Sequence, residues 1–272
     1  MSKAMHEHAA TSRAALVHSA AVAGGEVAAE FFRTGVAVET KDGKTDVVTE
    51  ADRAAQRAVE TAIRAEHPEE PFVGEEGEAL KQVPSAGPAW VVDPIDGTNS
   101  FVRELTTWAT AVACVVDGEP VAACNVLPAL DDVYTADSEA AYRNGAEISV
   151  STVDDPERAA VVPTVWWPQD RRDEYARACE AIVSRFGDLR RPGSAQAALA
   201  MVAGGAVEGV ITNVQTKPWD TIAGVHLVRQ AGGTVTDLRG ESWRHDACGL
   251  VVSNGELHDE LLDAAQDIDA EQ

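Results

Sequence analysis

The sequence predicts an α+β layered sandwich, and three observations carry that prediction. Strand-like apolar runs and separate helical runs mix along the chain without the even spacing of a βαβ repeat. The run Trp90-Val91-Val92 is short, apolar and β-prone, as a buried strand requires, and it leads straight into Asp93-Pro94. At 272 residues and 28.7 kDa the chain is long enough to bury a large core, as one domain or two closely joined halves.

The elements follow in order. Ala-rich residues 9–33 have helical spacing and stop before Gly35. A polar loop at 41–46 separates them from a second helix over 49–66, closed by His67-Pro68. Runs 107–116 and 120–127 flank Asp117-Gly118, a hairpin signal, and 133–136 continues the meander. The chain turns polar near 150–156, the best internal boundary, so a single unit is expected with halves of about 1–150 and 151–272. Helices are predicted over 171–186, 195–203 and 220–231, the last stopped by Gly232-Gly233. Strands are expected at 209–212, 234–236 and 249–253.

Composition narrows the function. Asp and Glu number 45 against 22 Lys and Arg, giving a formal charge of -23. Such a field disfavours nucleic acid and anionic membranes, and repels a phosphate unless cations reverse the local sign. Only five residues are lysines, and excess acid with scarce lysine suits a protein solvated in concentrated salt; the alternative is an ordinary acidic soluble protein. Cys114, Cys124, Cys179 and Cys248 form no CxxC pair, which fits reduced thiols in a cytoplasm. No apolar run approaches the ~18 residues of a membrane span, and residues 1–11 lack the apolar stretch of a leader.

Four segments place carboxylates at the ends of apolar runs: Asp46 to Asp52, Gly74-Glu75-Glu76, Asp93-Pro94-Ile95-Asp96-Gly97-Thr98, and Trp219-Asp220. Magnesium takes hard oxygen ligands, and a pair of such ions needs carboxylates converging from several parts of a chain. Each segment has a plainer reading. Thr49-Glu50-Ala51-Asp52 fits a capping box, Asp220 can cap its helix, Glu75-Glu76 can be a solvated loop, and Asp93-Pro94 and Asp96-Gly97 can be turns.

The ordered set outweighs those readings. The run 93–98 resembles the D-P-I-D-G-T signature of the inositol monophosphatase family, and Gly74-Glu75-Glu76 its G-E-E. Trp219-Asp220 followed by Ala223-Gly224 and Ala231-Gly232-Gly233 resembles its W-D-x-A-x-G and A-G-G segment, while Lys41 and Asp46 to Asp52 match its first loop and carboxylate. The resemblance runs from about residue 41 to 253. It implies the layered αβαβα sandwich of the inositol monophosphatase and sugar phosphatase type, two or three Mg²⁺ ions, and usually a homodimer.

By the same resemblance Glu75, Asp93, Asp96 and Asp220 are side-chain metal ligands and the Ile95 carbonyl is another. Asp52 and Thr98, with Glu75, handle protons around the attacking water; Gly97 and Thr98 offer backbone N–H groups to phosphate, and Lys41 belongs to the substrate site. Gly193-Ser194-Ala195 resembles a substrate-contacting turn, although a plain helix start fits equally. The sequence departs from the family pattern twice. Thr212 or Asn213 stands where inositol-specific members have a glutamate on the ring hydroxyls, and Ser100 stands where Asn is common. The expected substrate is therefore a small sugar or polyol phosphate, inositol 1-phosphate and/or fructose 1,6-bisphosphate. Histidinol phosphate or a 3′-phosphoadenosine phosphate is the alternative, with Arg190, Arg191 and Lys217 available to a second phosphate, and a non-catalytic partner-binding role is the rival from another class.

Overall fold

The computed structural model describes residues 3–35, 37–40, 47–165 and 167–269. Lys41 and Asp46 lie outside the described residues. The chain opens with α1 (Lys3–Phe31), a short antiparallel pair β1 (Val38–Thr40) and β2 (Val47–Thr49), and α2 (Glu50–Glu66). On α2 the buried residues Ala51, Ala55, Val59 and Ile63 recur every fourth position, giving one apolar stripe. Its start is set by Thr49, whose hydroxyl accepts from the Ala51 N–H at 3.1 Å, while Asp52 accepts from the Thr49 N–H at 2.7 Å.

A seven-stranded sheet follows in spatial order β3 (Phe72–Gly74), β4 (Pro88–Asp96), β5 (Ala109–Val116), β6 (Glu119–Leu127), β7 (Asp132–Ala136), β8 (Ala141–Arg143) and β9 (Ala146–Ile148). Only β3 and β4 are parallel. A single-turn helix, α3 (Thr98–Val102), links β4 to β5. The second half adds β10 (Ala160–Pro163), α4 (Arg172–Val183), β11 (Asp188–Leu189), α5 (Ala195–Ala203), β12 (Gly209–Gln215), α6 (Pro218–Gln230), β13 (Thr234–Thr236), β14 (Cys248–Ser253) and α7 (His258–Gln266). Its five strands run in the order β11-β10-β12-β14-β13.

Alternation of side chains along the strands builds the layers. On β4, Trp90 and Val92 pack with Leu16, Val17, Val59 and Ile63 of the first two helices. Ala89 and Val91 face the other way, into a core shared with Leu199 and Val202 of α5, Ile222 and Leu227 of α6, and Val210 and Val252 of the second sheet. The far face of that sheet, Val161, Ile211 and Val251, packs on Ala178 and Ile182 of α4 and Leu261 of α7. The order helix, sheet, helix, sheet, helix is the αβαβα sandwich expected from sequence.

The differences lie at the edges. The strand expected at 90–92 runs from Pro88 to Asp96, because the acidic end stays in the sheet. The helix expected from 220 begins at Pro218, since proline at a first helical position loses no hydrogen bond. The short strands β3 and β8 to β11, and α3 and α7, go beyond the expected elements. Asn144-Gly145, with φ of 51° and 79°, is the hairpin turn between β8 and β9 and is the signal the sequence offers there. Among the described residues no helix is long and apolar enough to cross a membrane.

Candidate active site

Residues three apart on a regular strand point to opposite faces. Asp93 and Asp96 escape this because β4 bulges against β5: Asp93 pairs with Ala111 and Asp96 with Ala109, three steps against two. Asp220 arrives from α6, where it is the third residue and accepts from the Lys217 N–H at 3.1 Å. One carboxylate oxygen from each of Asp93, Asp96 and Asp220 lies within 4.8 Å of the others.

Asp93 and Asp96 are buried, at 2% and 8% exposure. Burial, then the charges of Glu75, Asp96, Asp220 and Asp52, push the Asp93 carboxyl well above its ordinary range. Burial pushes Asp220 up to about 8, with Asp96 and Glu75 adding to it. Asp96 rises only to about 6, because hydrogen bonds from Ser194, Gln196 and Ala195 and the charge of Arg191 oppose its burial. Among the described residues Asp93 Oδ1 has no hydrogen-bond partner, although it is buried. An unpartnered oxygen among repelling carboxylates is costly in protein and suits a hard cation, so the donor set fits divalent metal.

The supporting turns are fixed locally. Gly97 has φ +86°, and a Cβ there would lie 3.0 Å from the Gly193 carbonyl and from Ser194 Cβ, so both conformation and space demand glycine. Beneath it Phe101 meets Trp108 edge-on at 4.9 Å, a contact worth ~1 kcal/mol beyond burial. Glu75 is half-buried on the turn after β3. That turn is held by Gln56, whose side chain bonds both the N–H and the carbonyl of Glu76 at 2.8 Å. Lys81 Nζ donates to the carbonyls of Gly74 and Glu75 at 2.8 and 2.9 Å and lies 5.6 Å over the Trp219 ring, pinning Glu75 beside Asp220. Sequence reading passes over Lys81, although a lysine is rare enough in this chain to draw notice.

The remaining expected residues divide. Thr98 Oγ1 reaches Asp52 Oδ1 at 3.3 Å and the Ile95 carbonyl at 3.1 Å, so Asp52 caps α2 and meets Thr98 at once. Ser194 is the N-cap of α5 and its hydroxyl donates to Asp96 Oδ2; the Gln196 N–H donates to the same oxygen at 2.6 Å. The structure does not leave Asn213 open to a ligand. It is 1% exposed, its Nδ2 donates to Glu174 and Asp269 at 2.5 Å each, and its Oδ1 accepts from Trp167 Nε1 at 2.7 Å. Both amide protons are taken by protein carboxylates, which corrects the expectation that this amide meets the substrate. Thr212 is also fully buried, its hydroxyl accepting from the Val214 N–H at 3.1 Å. Arg191 lies 5.8 Å from the Tyr175 ring, and Tyr175 stacks on Trp167 at 5.1 Å.

A model of the inositol monophosphatase family matches residues 9–270. The chain belongs to this family. It is similar to a fructose-1,6-bisphosphatase/inositol-1-monophosphatase of Thermotoga maritima, 34% identical over 85% of this chain and 87% of that protein. A Nus factor SuhB of Vibrio cholerae is 30% identical over 88% of this chain and 89% of that protein. The solved IMPase of Thermotoga maritima superposes with a TM-score of 0.83 at 31% identity, covering 92% of this chain and 95% of that one. The chain is a phosphoric monoester hydrolase by family, acting on a phosphorylated small molecule.

Proposed function

We propose that the protein hydrolyses a small sugar or polyol phosphate, inositol 1-phosphate and fructose 1,6-bisphosphate both included, with Mg²⁺ as its metal. The observation that carries the reading is the trio Asp93, Asp96 and Asp220, with an Asp93 oxygen that has no partner among the described residues. These three, Glu75 and the Ile95 carbonyl are proposed to hold two or three ions. Bound there, Mg²⁺ supplies positive charge for the phosphate and acidity for water.

The chain's own groups do the rest. The Thr98 hydroxyl proton has two acceptors, Asp52 Oδ1 and the Ile95 carbonyl. A hydroxyl whose proton is held inward presents its lone pairs outward, so Thr98 orients the attacking water and Asp52 and Glu75 take up the proton. Gly97 and Thr98 offer N–H groups to phosphate, Gly193, Ser194 and Ala195 border the substrate, and Lys41, which lies outside the described residues, is proposed to join them. Arg191, whose charge already reaches Asp96, balances a second anionic group, which supports acceptance of a bisphosphate.

The test is phosphate release from a panel of phosphomonoesters with and without Mg²⁺. No release from any member with Mg²⁺ would favour a partner-binding role, as the name of the Vibrio relative suggests. The charge of -23 argues against RNA as that partner. We further propose a homodimer, on the family resemblance, and a reducing, salt-rich cytoplasm. The four free cysteines support the compartment, Cys114 and Cys124 being buried with thiols pushed up by burial.

A further inference from the structure

We infer that Gln196 is a positioning residue that sets the distance between two of the metal-binding aspartates. Its main chain and side chain act on different ones. The Gln196 N–H donates to Asp96 Oδ2 at 2.6 Å. Its Nε2 donates to the Trp219 carbonyl at 2.6 Å, one residue before Asp220. Its Oε1 accepts from the Gly224 N–H at 2.8 Å, one turn after Asp220. A single side chain therefore bonds α6 on both sides of Asp220, while the backbone of the same residue holds Asp96.

The arrangement is built rather than incidental. Gln196 is fully buried between the two sheets, where a long amide is expensive unless satisfied. A second buried amide serves it: Asn125 of β6 donates Nδ2 to Gln196 Oε1 at 2.8 Å and to its carbonyl at 3.2 Å. Gly224 completes the fit. A Cβ there would lie 2.5 Å from Leu199 Cβ and 2.9 Å from Gln196 Oε1, so only glycine lets α5 and α6 approach closely enough. Asp96 comes from a sheet strand and Asp220 from a helix, and ligands on separate elements keep a productive spacing only if something rigid spans them. Gln196 spans them.

The inference rests on the metal reading above, and its test separates the two. Mg²⁺ binding is measured by calorimetry and by the rise in melting temperature on adding Mg²⁺, on wild type and on Gln196→Met, which keeps shape and loses the side-chain bonds. If wild type binds no Mg²⁺, the metal reading itself fails. Given binding, Gln196→Met should weaken Mg²⁺ affinity about tenfold or more. The substrate KM at saturating Mg²⁺ should stay within about threefold, because the Gln196 side chain is fully buried and bonds only protein groups. Val202→Ala, a buried truncation elsewhere on α5, should lower stability and leave Mg²⁺ affinity alone. Wild-type affinity in folded Gln196→Met, or an equal loss in Val202→Ala, overturns the inference. Should Gln196→Met not fold, Asn125→Leu decides: weakened Mg²⁺ affinity supports the role, and unchanged affinity rejects it.

Discussion

Thr98 and Asp52 meet through one hydrogen bond, Oγ1 to Oδ1 at 3.3 Å, while the other oxygen of Asp52 takes both the N–H and the hydroxyl of Thr49, at 2.7 and 2.6 Å. One carboxylate thus closes a helix and reaches Thr98 in the candidate site. The two duties separate by mutation. Thr98→Val should lower kcat by roughly 10²-fold or more with little change in melting temperature. Asp52→Ala should lower kcat similarly and also cost about 1–2 kcal/mol of stability through the lost cap. The proposed role needs both residues, so the double variant should be little slower than either single one. Steady-state kinetics and thermal melts check all three.

Asp93→Asn tests the metal cluster. Turnover should fall by orders of magnitude, and activity in the wild type should vanish with a chelator. Metal-free protein should show the opposite order of stability. The wild type there holds a buried carboxylate repelled by Glu75, Asp96 and Asp220, and the amide removes that repulsion. The Asp93→Asn variant should melt above wild type in chelator and below it in excess Mg²⁺. A variant less stable than wild type in both buffers contradicts the electrostatic account.

Asn213→Glu should be destabilising whatever the substrate. The new carboxylate would sit against Glu174 and Asp269, replacing two donated hydrogen bonds with two like charges. A loss of about 2–4 kcal/mol is expected, read from denaturant unfolding. Asn213→Ala should cost less, since it removes donors without adding charge.

His226 gives the fold a pH dependence. It is 3% exposed, its Nε2 donates to the Asp137 carbonyl at 2.9 Å, and burial pushes it down to about 4. The unfolded chain binds this proton near pH 6.5 and the folded chain near 4, so the unfolded state holds more protons between them. Stability is full above about pH 6.5 and falls as pH drops toward 4, by about 3 kcal/mol from this one group. Melting temperatures from pH 7.5 to 5 should therefore fall more steeply in wild type than in His226→Gln.

Salt should stabilise the protein. With a charge of -23, self-repulsion is strong where the Debye length reaches ~30 Å, near 0.01 M salt, and weak in molar salt. The melting temperature should rise from dilute to molar KCl, and a flat profile would remove the case for salt adaptation.

The sequence made the middle of the molecule legible and its edges less so. Trp90-Val91-Val92 and the Asp117-Gly118 hairpin announced the central sheet, because strands covered on both faces must be apolar and a tight turn needs residues tolerant of positive φ. The short strands β3, β10 and β11 left little pattern, since two to four residues cannot establish a period. At the site, residue type and order named Asp93, Asp96 and Asp220. What brings the first two together, an extra residue in β4 opposite Ala109 and Ala111, is a property of pairing and has no signature in one strand. Gln196 and Asn125 read as unremarkable polar residues until their shared burial showed them bonded to each other. Asn213 misled for the complementary reason: its place in the motif was visible, and the three partners waiting for its amide were not.

The central pair of helices has a consequence for how the chain reaches its native state. α5 and α6 are apolar on nearly every side, with Ala197, Ala198, Leu199, Ala200, Val202, Ile222, Val225 and Leu227 all essentially buried. They find cover only between a sheet finished by residue 148 and another that needs β14, some hundred residues later. The inner face of the first sheet, Val91, Ala111 and Ala113 among others, is covered by α5 and α6, which come after it in the chain and themselves need the second sheet. Assembly that depends on such long-range closure is expected to be slower than local helix formation. A chain cut near residue 150 should display that face permanently and aggregate, which sedimentation of the truncated chain would check; a monodisperse, folded fragment 1–150 would show that the halves fold apart.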